Sequence, residues 1–238
     1  MSFGWAVLAG IELKLKLMKY FFDTEFIEGS QPIKMFGIKT GMSKPTIDLI
    51  SIGIVAEDGR KYYAISKDFN LDHAWKDEWI RTNVILPIYY EYVHGDMRNV
   101  AHFTKQTIRG ILKGFGKSNA EIALDIMLFA YNIDEKSNWL GSTDELYAYL
   151  LSFEPKEKPE FWAYYCNYDW VVFCQLFGKM IDLPKGFPMF CMDLKNLMEF
   201  KGLTKEWKQQ VCPDPVGEHN ALVDAYWNLK LWESINGQ

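Results

Sequence analysis

The chain has 238 residues, of which 49% are hydrophobic and 16% aromatic, so it can bury the core of one large α/β domain. Its formal net charge of −5 argues against a protein that binds polyanions through an unassisted basic surface. There is no run of 18 or more apolar residues, which excludes a membrane-spanning helix and predicts no membrane contact.

Residues 1–17 form an N-terminal extension whose structure the sequence leaves open. No positive charge precedes its short apolar part, and Lys14 and Lys16 follow it, which argues against a signal peptide. Leu13, Leu15 and Leu17 alternate with these lysines, a pattern typical of an edge strand. We expect residues 18–238 to form a single domain.

Five segments read as strands. The first is apolar, the second is rich in β-branched residues, and Asp58 and Gly59 supply a tight turn into the third. The five predicted segments are residues 20–26, 47–56, 61–66, 161–165 and 188–192. Residues 28–46, between the first two strands, are predicted to be a long loop.

Helical signals follow the third strand. Residues 75–82 are predicted to be helical, and capping boxes begin at Ser118 and Ser142 within an enlarged helical region at about 116–158. Residues 155–159 read as a polar linker. Asn167 is predicted to cap a helix that carries Asp169, and Pro215 leads into a last helix. Hairpin-connected strands followed by alternating helices and strands predict a mixed sheet covered by helices.

The four cysteines show no pairing pattern. Cys166, Cys174, Cys191 and Cys212 contain no CxxC spacing, so zinc ligation is not indicated. Most of them lie in apolar runs, which predicts buried, reduced thiols. Reduced thiols indicate a reducing compartment, and we expect the cytoplasm.

Four carboxylates and one histidine stand out among these apolar segments: Asp23, Glu25, Asp169, His219 and Asp224. Each has a structural alternative, namely a solvated strand face, a helix N-terminus or a satisfied loop histidine. Buried carboxylates that converge repel each other unless cations neutralise them, and oxygen ligands favour Mg²⁺ or Mn²⁺ over zinc. Two such ions roughly 3.5–4 Å apart promote in-line displacement at phosphorus, so the set predicts a two-metal phosphodiesterase.

The order and spacing of these residues resemble the DEDDh family of 3′→5′ exonucleases. That family has Asp-x-Glu on its first strand, then an aspartate, then His-x(4)-Asp on a late helix, as at His219 and Asp224. The resemblance covers about residues 18–233. It is closest to the bacterial polyadenylate-specific 3′-exoribonuclease subgroup, on residues 23–27, 49–59, 79–84, 168–169, 174–178 and 221–225. Residues 28–46 and 116–158 depart from the pattern.

The resemblance implies a ribonuclease H-like fold and roles for individual residues. Asp23 would bridge two Mg²⁺ ions, or Mn²⁺ in their place, with Glu25, Asp169 and Asp224 as further ligands. His219 would be the general base, since neutral histidine accepts a proton near neutral pH. A histidine here distinguishes the DEDDh subgroup from its tyrosine-containing sister.

Candidate substrate-binding residues flank the acidic ones. By family analogy, Thr24 and Phe26 would hold the terminal nucleotide. Trp170 is either a stacking surface for a base or part of the core. A row of Lys105, Arg109, Lys113 and Lys117 is either a phosphate-binding stripe or a solvated helix face.

The resemblance predicts an exoribonuclease that acts on RNA 3′ ends, single-stranded or overhanging, and releases nucleoside 5′-monophosphates. A DNA exonuclease of proofreading or repair type would use the same five residues. A non-catalytic nucleic-acid-binding relative would lack one of them, and an acidic metal-binding or structural protein would not turn over an oligonucleotide. The resemblance also suggests a homodimer.

Overall fold

A five-stranded sheet forms the centre of the protein. The computed structural model describes residues 17–36, 38–93, 99–133, 139 and 141–237, without the side chains of residues 34 and 39. The expectations for residues 1–16 lie outside this range. The strands are β1 (Leu17–Met35), β2 (Ile38–Ala56), β3 (Lys61–Ile65), β4 (Lys158–Ala163) and β5 (Met192–Asp193).

The strand order is β3-β2-β1-β4-β5. β1 pairs antiparallel with β2 and β2 antiparallel with β3, whereas β4 is parallel to both β1 and β5. Gly59, with φ of +90°, makes the tight turn between β2 and β3, a conformation that glycine adopts without strain. The predicted mixed sheet flanked by helices is confirmed, and it is consistent with a ribonuclease H-like fold.

The prediction of a long loop at residues 28–46 is wrong. β1 continues to Met35 and β2 begins at Ile38, so this stretch is a two-stranded hairpin arm. Gln31 ties the arm together, because its side-chain amide donates to Thr46 Oγ1 at 2.6 Å and to Asp48 Oδ2 at 2.5 Å. Backbone pairing and polar side chains stabilise the arm, and neither produces an apolar alternation in the sequence.

The described helices lie on both faces of the sheet. Those between β3 and β4 are α1 (Leu71–Ala74), α2 (Glu78–Ile80), a π-helical turn (Arg81–Ile85), α3 (Leu86–Tyr92), α4 (Lys105–Phe115), α5 (Asn119–Ala130) and α6 (Thr143–Ser152). Those after β4 are α7 (Asn167–Gln175), α8 (Leu194–Phe200), α9 (Lys205–Val211) and α10 (Ala221–Asn236). The predicted helix at 75–82 therefore corresponds to the short α2 and the start of the π-helical turn.

Local helix signals are confirmed in two of three places. Ser118 and Ser142 both form complete capping boxes. Asn167 does not cap α7, because it is the first helical residue and Cys166 precedes it without a side-chain cap. All four cysteines are free thiols. Within the described residues, no helix is long and apolar enough to cross a membrane.

The core divides between the two faces of the sheet. Phe22 packs on one face in a cluster with α5 and α7. On the other face, Phe21 packs with Leu231 of α10, while Ile27 packs with Ile80 of α2 in a separate cluster. Asp23 and Glu25 lie between Phe21 and Ile27 along β1. The acidic pair therefore occupies the gap between two helical clusters.

Candidate active site

Asp23 and Glu25 point to the same side of β1 because they are two residues apart on a strand. Asp23 lies opposite Gly53 of β2 and Glu25 opposite Ser51. The register slips between Glu25 and Phe26, where β2 carries one extra residue. Bulges of this kind are common beside active sites, where they re-aim side chains.

Gly53 allows α10 to cross the sheet directly above this pair. A Cβ at position 53 would lie 2.3 Å from the carbonyl oxygen of Ala221, the first residue of α10. Asn220 caps the helix by accepting from the amides of Leu222 and Val223. Asp224 then falls in the first turn of α10 and reaches the strand carboxylates.

Asp23, Glu25 and Asp224 form a compact carboxylate cluster. One carboxylate oxygen of each lies within 4.8 Å of the corresponding oxygens of the other two. The three line a pocket of about 270 Å³, together with Asp169, His219 and other residues. An all-oxygen donor set of this size suits a hard divalent cation.

Asp169 lines the same pocket but is held mainly by Thr24. Its Oδ1 accepts from the Thr24 backbone amide at 3.0 Å and from the Thr24 hydroxyl at 2.6 Å. Thr24 is buried at 5% exposure and spends both of its donors on this carboxylate. Thr24 therefore orients Asp169. Thr24 also lines the pocket, and its predicted contact with the terminal nucleotide stays a prediction.

The carboxylates are strained electrostatically. Burial, followed by repulsion from neighbouring carboxylates, raises the pKa of Asp23 well above its usual range and that of Glu25 to about 8. Burial also raises the pKa of Asp224 to about 7, although the His219 amide opposes the rise. The pKa of Asp169 rises to about 6 because burial outweighs the two bonds from Thr24. A bound cation would offset the repulsion between these carboxylates and the cost of burying their charges.

His219 stands at the rim of the pocket, in the loop before α10. Its backbone adopts φ of +69°, and its amide donates to Asp224 Oδ2 at 2.8 Å. Within the described part of the chain, neither ring nitrogen makes a hydrogen bond to protein. Its imidazole is in edge contact with the ring of Trp79, at 4.7 Å between centroids.

The stacking role considered for Trp170 is wrong. Its indole is 9% exposed and stacks on Phe173 at 4.9 Å in the cluster that also contains Phe22. Tyr168, two residues before Trp170 in α7, is instead 52% exposed. Its ring stacks on that of Phe26, with 5.9 Å between the centroids. Phe26 lines the pocket, and its predicted contact with the terminal nucleotide remains a prediction.

The predicted basic stripe is largely neutralised. Lys105 and Arg109 both pair with Asp72, at 2.9 and 2.8 Å. Lys117 pairs with Asp125 at 2.5 Å. Three of the four positive charges thus have carboxylate partners, which favours the solvated-face interpretation.

Several pocket residues were not apparent from the sequence. Asn228 lies one turn after Asp224 on α10, and its amide donates to the Phe22 carbonyl at 2.9 Å, which fixes the helix to β1. Asp214 and Glu218 add two more carboxylates to the pocket wall. The spacing of Asn228 from Asp224 could have indicated that they share a helix face. The role of Gly53 required the strand register.

One family and two relatives are similar to this chain, and all three carry the same activity in their descriptions. Residues 34–236 match the family described as "3'-5' exoribonuclease Rv2179c-like domain". The 3'-5' exoribonuclease Rv2179c of Mycobacterium tuberculosis strain ATCC 25618 / H37Rv is 31% identical over 218 residues, which are 92% of this chain and 93% of the relative. The 3'-5' exoribonuclease MT2234.1 of strain CDC 1551 / Oshkosh matches with the same identity and coverage.

Proposed function

The chain belongs to the family of 3'-5' exoribonuclease Rv2179c-like domains and is an exonuclease, and we propose that it hydrolyses RNA from the 3′ end in the pocket between β1 and α10. The observation that supports this location is the convergence of Asp23, Glu25 and Asp224 within 4.8 Å. Asp169 lines the same pocket.

Asp23, Glu25, Asp224 and Asp169 would hold two Mg²⁺ ions, with Mn²⁺ as a substitute. The donor set is all oxygen, and burial together with mutual repulsion raises the pKa values of these acids, which supports binding of a cation among them. When bound, such ions lower the pKa of water and stabilise the leaving oxygen in phosphodiester hydrolysis. The protein's own contribution is to fix the carboxylates by strand register, the Gly53 contact and the Thr24 bonds.

His219 would be the general base. Neither of its ring nitrogens is engaged within the described residues, so one can accept the proton of an attacking water. The His219 amide donates a hydrogen bond to Asp224 Oδ2. This bond holds the His219 backbone beside the carboxylate cluster. Attack of that water at phosphorus and departure of the 3′-oxygen release a nucleoside 5′-monophosphate. A positioned base of this kind contributes roughly 10²- to 10⁴-fold to the rate.

The RNA 3′ end would enter along the open side of the pocket, where Phe26 and Tyr168 offer an aromatic surface. Base–aromatic stacking tolerates any sequence, which suits an enzyme that shortens a strand one nucleotide at a time. The four free thiols fit the reducing cytoplasm as the site of action. The homodimer remains a prediction.

The test uses 5′-labelled single-stranded RNA and its all-deoxy counterpart, each incubated with Mg²⁺, Mn²⁺ or EDTA. We expect stepwise shortening of the RNA from its 3′ end, no activity in EDTA, and slower hydrolysis of a 3′-phosphorylated strand. The Asp23→Asn variant is the matched control for contaminating nucleases. Internal cuts that precede end-shortening, or full activity in EDTA, would contradict the proposal. Faster hydrolysis of the all-deoxy strand would show that DNA, and not RNA, is the preferred substrate.

A further inference from the structure

The contact between Trp79 and His219 connects α2 to the loop before α10. Trp79 lies in α2, next to the buried Ile80, whereas His219 precedes α10. The ring centroids are 4.7 Å apart with an interplanar angle of 69°, an edge-to-face arrangement. Aromatic rings prefer this geometry because the positive edge of one meets the negative face of the other.

The backbone of His219 is fixed, but its ring is not fixed by hydrogen bonds. Asp224 Oδ2 accepts from the His219 amide at 2.8 Å, and Asn220 caps the helix directly after it. These bonds set the position of the Cα atom and leave rotation about the side-chain bonds open. Within the described residues, the imidazole is in ring contact with Trp79.

Trp79 is well placed to hold the ring because α2 is itself anchored. Asp77 accepts from the Ile80 amide at 3.0 Å, and Ile80 is buried at 8% exposure. Arg81, directly after α2, donates to the Trp75 carbonyl at the end of α1 at 2.9 Å, which ties the two short helices together. Trp79 itself is 52% exposed. Its indole therefore stands on a fixed support against the ring of the proposed general base.

We propose that Trp79 is a positioning residue that holds the His219 imidazole over the carboxylate pocket. This inference rests on the proposed function of His219 as general base. Without the indole, the imidazole samples other rotamers and spends less time within reach of the attacking water. Misplacement of a catalytic group by about 1 Å can cost up to about 10²-fold. Since only part of the rotamer population is lost, we expect kcat to fall by roughly 10-fold.

The experiment compares Trp79→Ala, Trp79→Phe and the double variant Trp79→Ala with His219→Ala, under single-turnover and steady-state conditions. Phe36→Ala removes an aromatic that is 98% exposed at the tip of the hairpin arm and is the matched control. We expect Trp79→Ala to lower kcat with little change in KM, Trp79→Phe to recover most of the rate, and the control to match the unmodified protein. In the His219→Ala background, loss of Trp79 should cost nothing further.

A second readout does not depend on activity. The chain has only four histidines, so the His219 imidazole signals can be assigned by their loss in His219→Ala. We expect these signals to shift in Trp79→Ala, because the ring current of the indole is removed, while Mn²⁺ affinity stays unchanged.

Three results would overturn the inference: unchanged His219 signals, a rise in KM without loss of kcat, or an equal loss of rate with and without His219. The last two would make Trp79 an RNA contact. If the unmodified protein does not hydrolyse RNA at all, the proposed function fails, whereas the imidazole signals still report whether the rings are in contact.

Discussion

Gly53→Ala should disable the active site without touching any proposed catalytic residue. The added Cβ would meet the Ala221 carbonyl at 2.3 Å, a separation that real Cβ atoms do not show, so the start of α10 has to retreat by roughly 1 Å. Asp224 and His219 move with it, away from Asp23 on the facing strand. A shift of about 1 Å at a catalytic group costs on the order of 10²-fold in rate. The overpacking itself costs about 1–3 kcal/mol of stability.

The assay measures single-turnover hydrolysis of 5′-labelled RNA, Mn²⁺ affinity and Tm in the same preparations. Gly110→Ala is the matched control, since a Cβ at this position in α4 meets nothing within 4 Å. Alanine exceeds glycine in helix propensity by about 1 kcal/mol, so the control should be active and slightly more stable. Gly53→Ala with unchanged turnover and Mn²⁺ affinity would refute the argument that this close approach assembles the site.

Two further predictions concern the carboxylates. In EDTA, stability should fall as pH rises from about 5 to 8, because the folded state holds protons on Glu25 (pKa about 8) and Asp224 (pKa about 7) that the unfolded chain has already lost. Mg²⁺ should therefore raise Tm more at pH 8 than at pH 5, and an equal rise at both would contradict the assigned metal ligands. Thr24→Val removes the hydroxyl that donates to Asp169, which should cost about 1.5–3 kcal/mol and lower the rate. Thr24→Ser keeps both donors and should preserve activity. If Thr24→Val is as active and as stable as Thr24→Ser, the Thr24 hydroxyl does not orient Asp169.

The acidic residues could be predicted from the sequence because their chemistry and local context carry the information. A two-residue spacing on a strand puts Asp23 and Glu25 on one face of the sheet. Asp169 and Asp224 each lie in the first turn of a helix, and both helices begin beside these two residues. The sequence cannot give the strand register or the crossing of α10, which depend on contacts between distant residues. For that reason Gly53 gave no signal, although its contact determines where Asp224 lies.

Burial and backbone pairing explain the predictions that were wrong. Trp170 follows a pocket aspartate, and its place in the sequence is compatible with either a base contact or the core. In the structure its indole is in the core, where it packs against Phe173. The hairpin arm lacks an apolar alternation, so the sequence resembled a loop, yet its strands pair along most of their length and Gln31 ties them together. The bonds from Thr24 to Asp169 join residues far apart in the sequence, so the sequence does not reveal them, and the predicted contact of Thr24 with the nucleotide stays a prediction.

In the proposed mechanism the carboxylates bind metal while His219 accepts a proton. The most direct test titrates Mn²⁺ into the unmodified protein, Asp23→Asn and His219→Ala and measures single-turnover RNA hydrolysis in each. Asp23→Asn should lose both metal binding and turnover. His219→Ala should bind Mn²⁺ almost as the unmodified protein does, with turnover lower by roughly 10²- to 10⁴-fold. Unchanged turnover in His219→Ala at neutral pH would show that His219 is not the general base, and intact metal binding in Asp23→Asn would show that Asp23 is not a metal ligand.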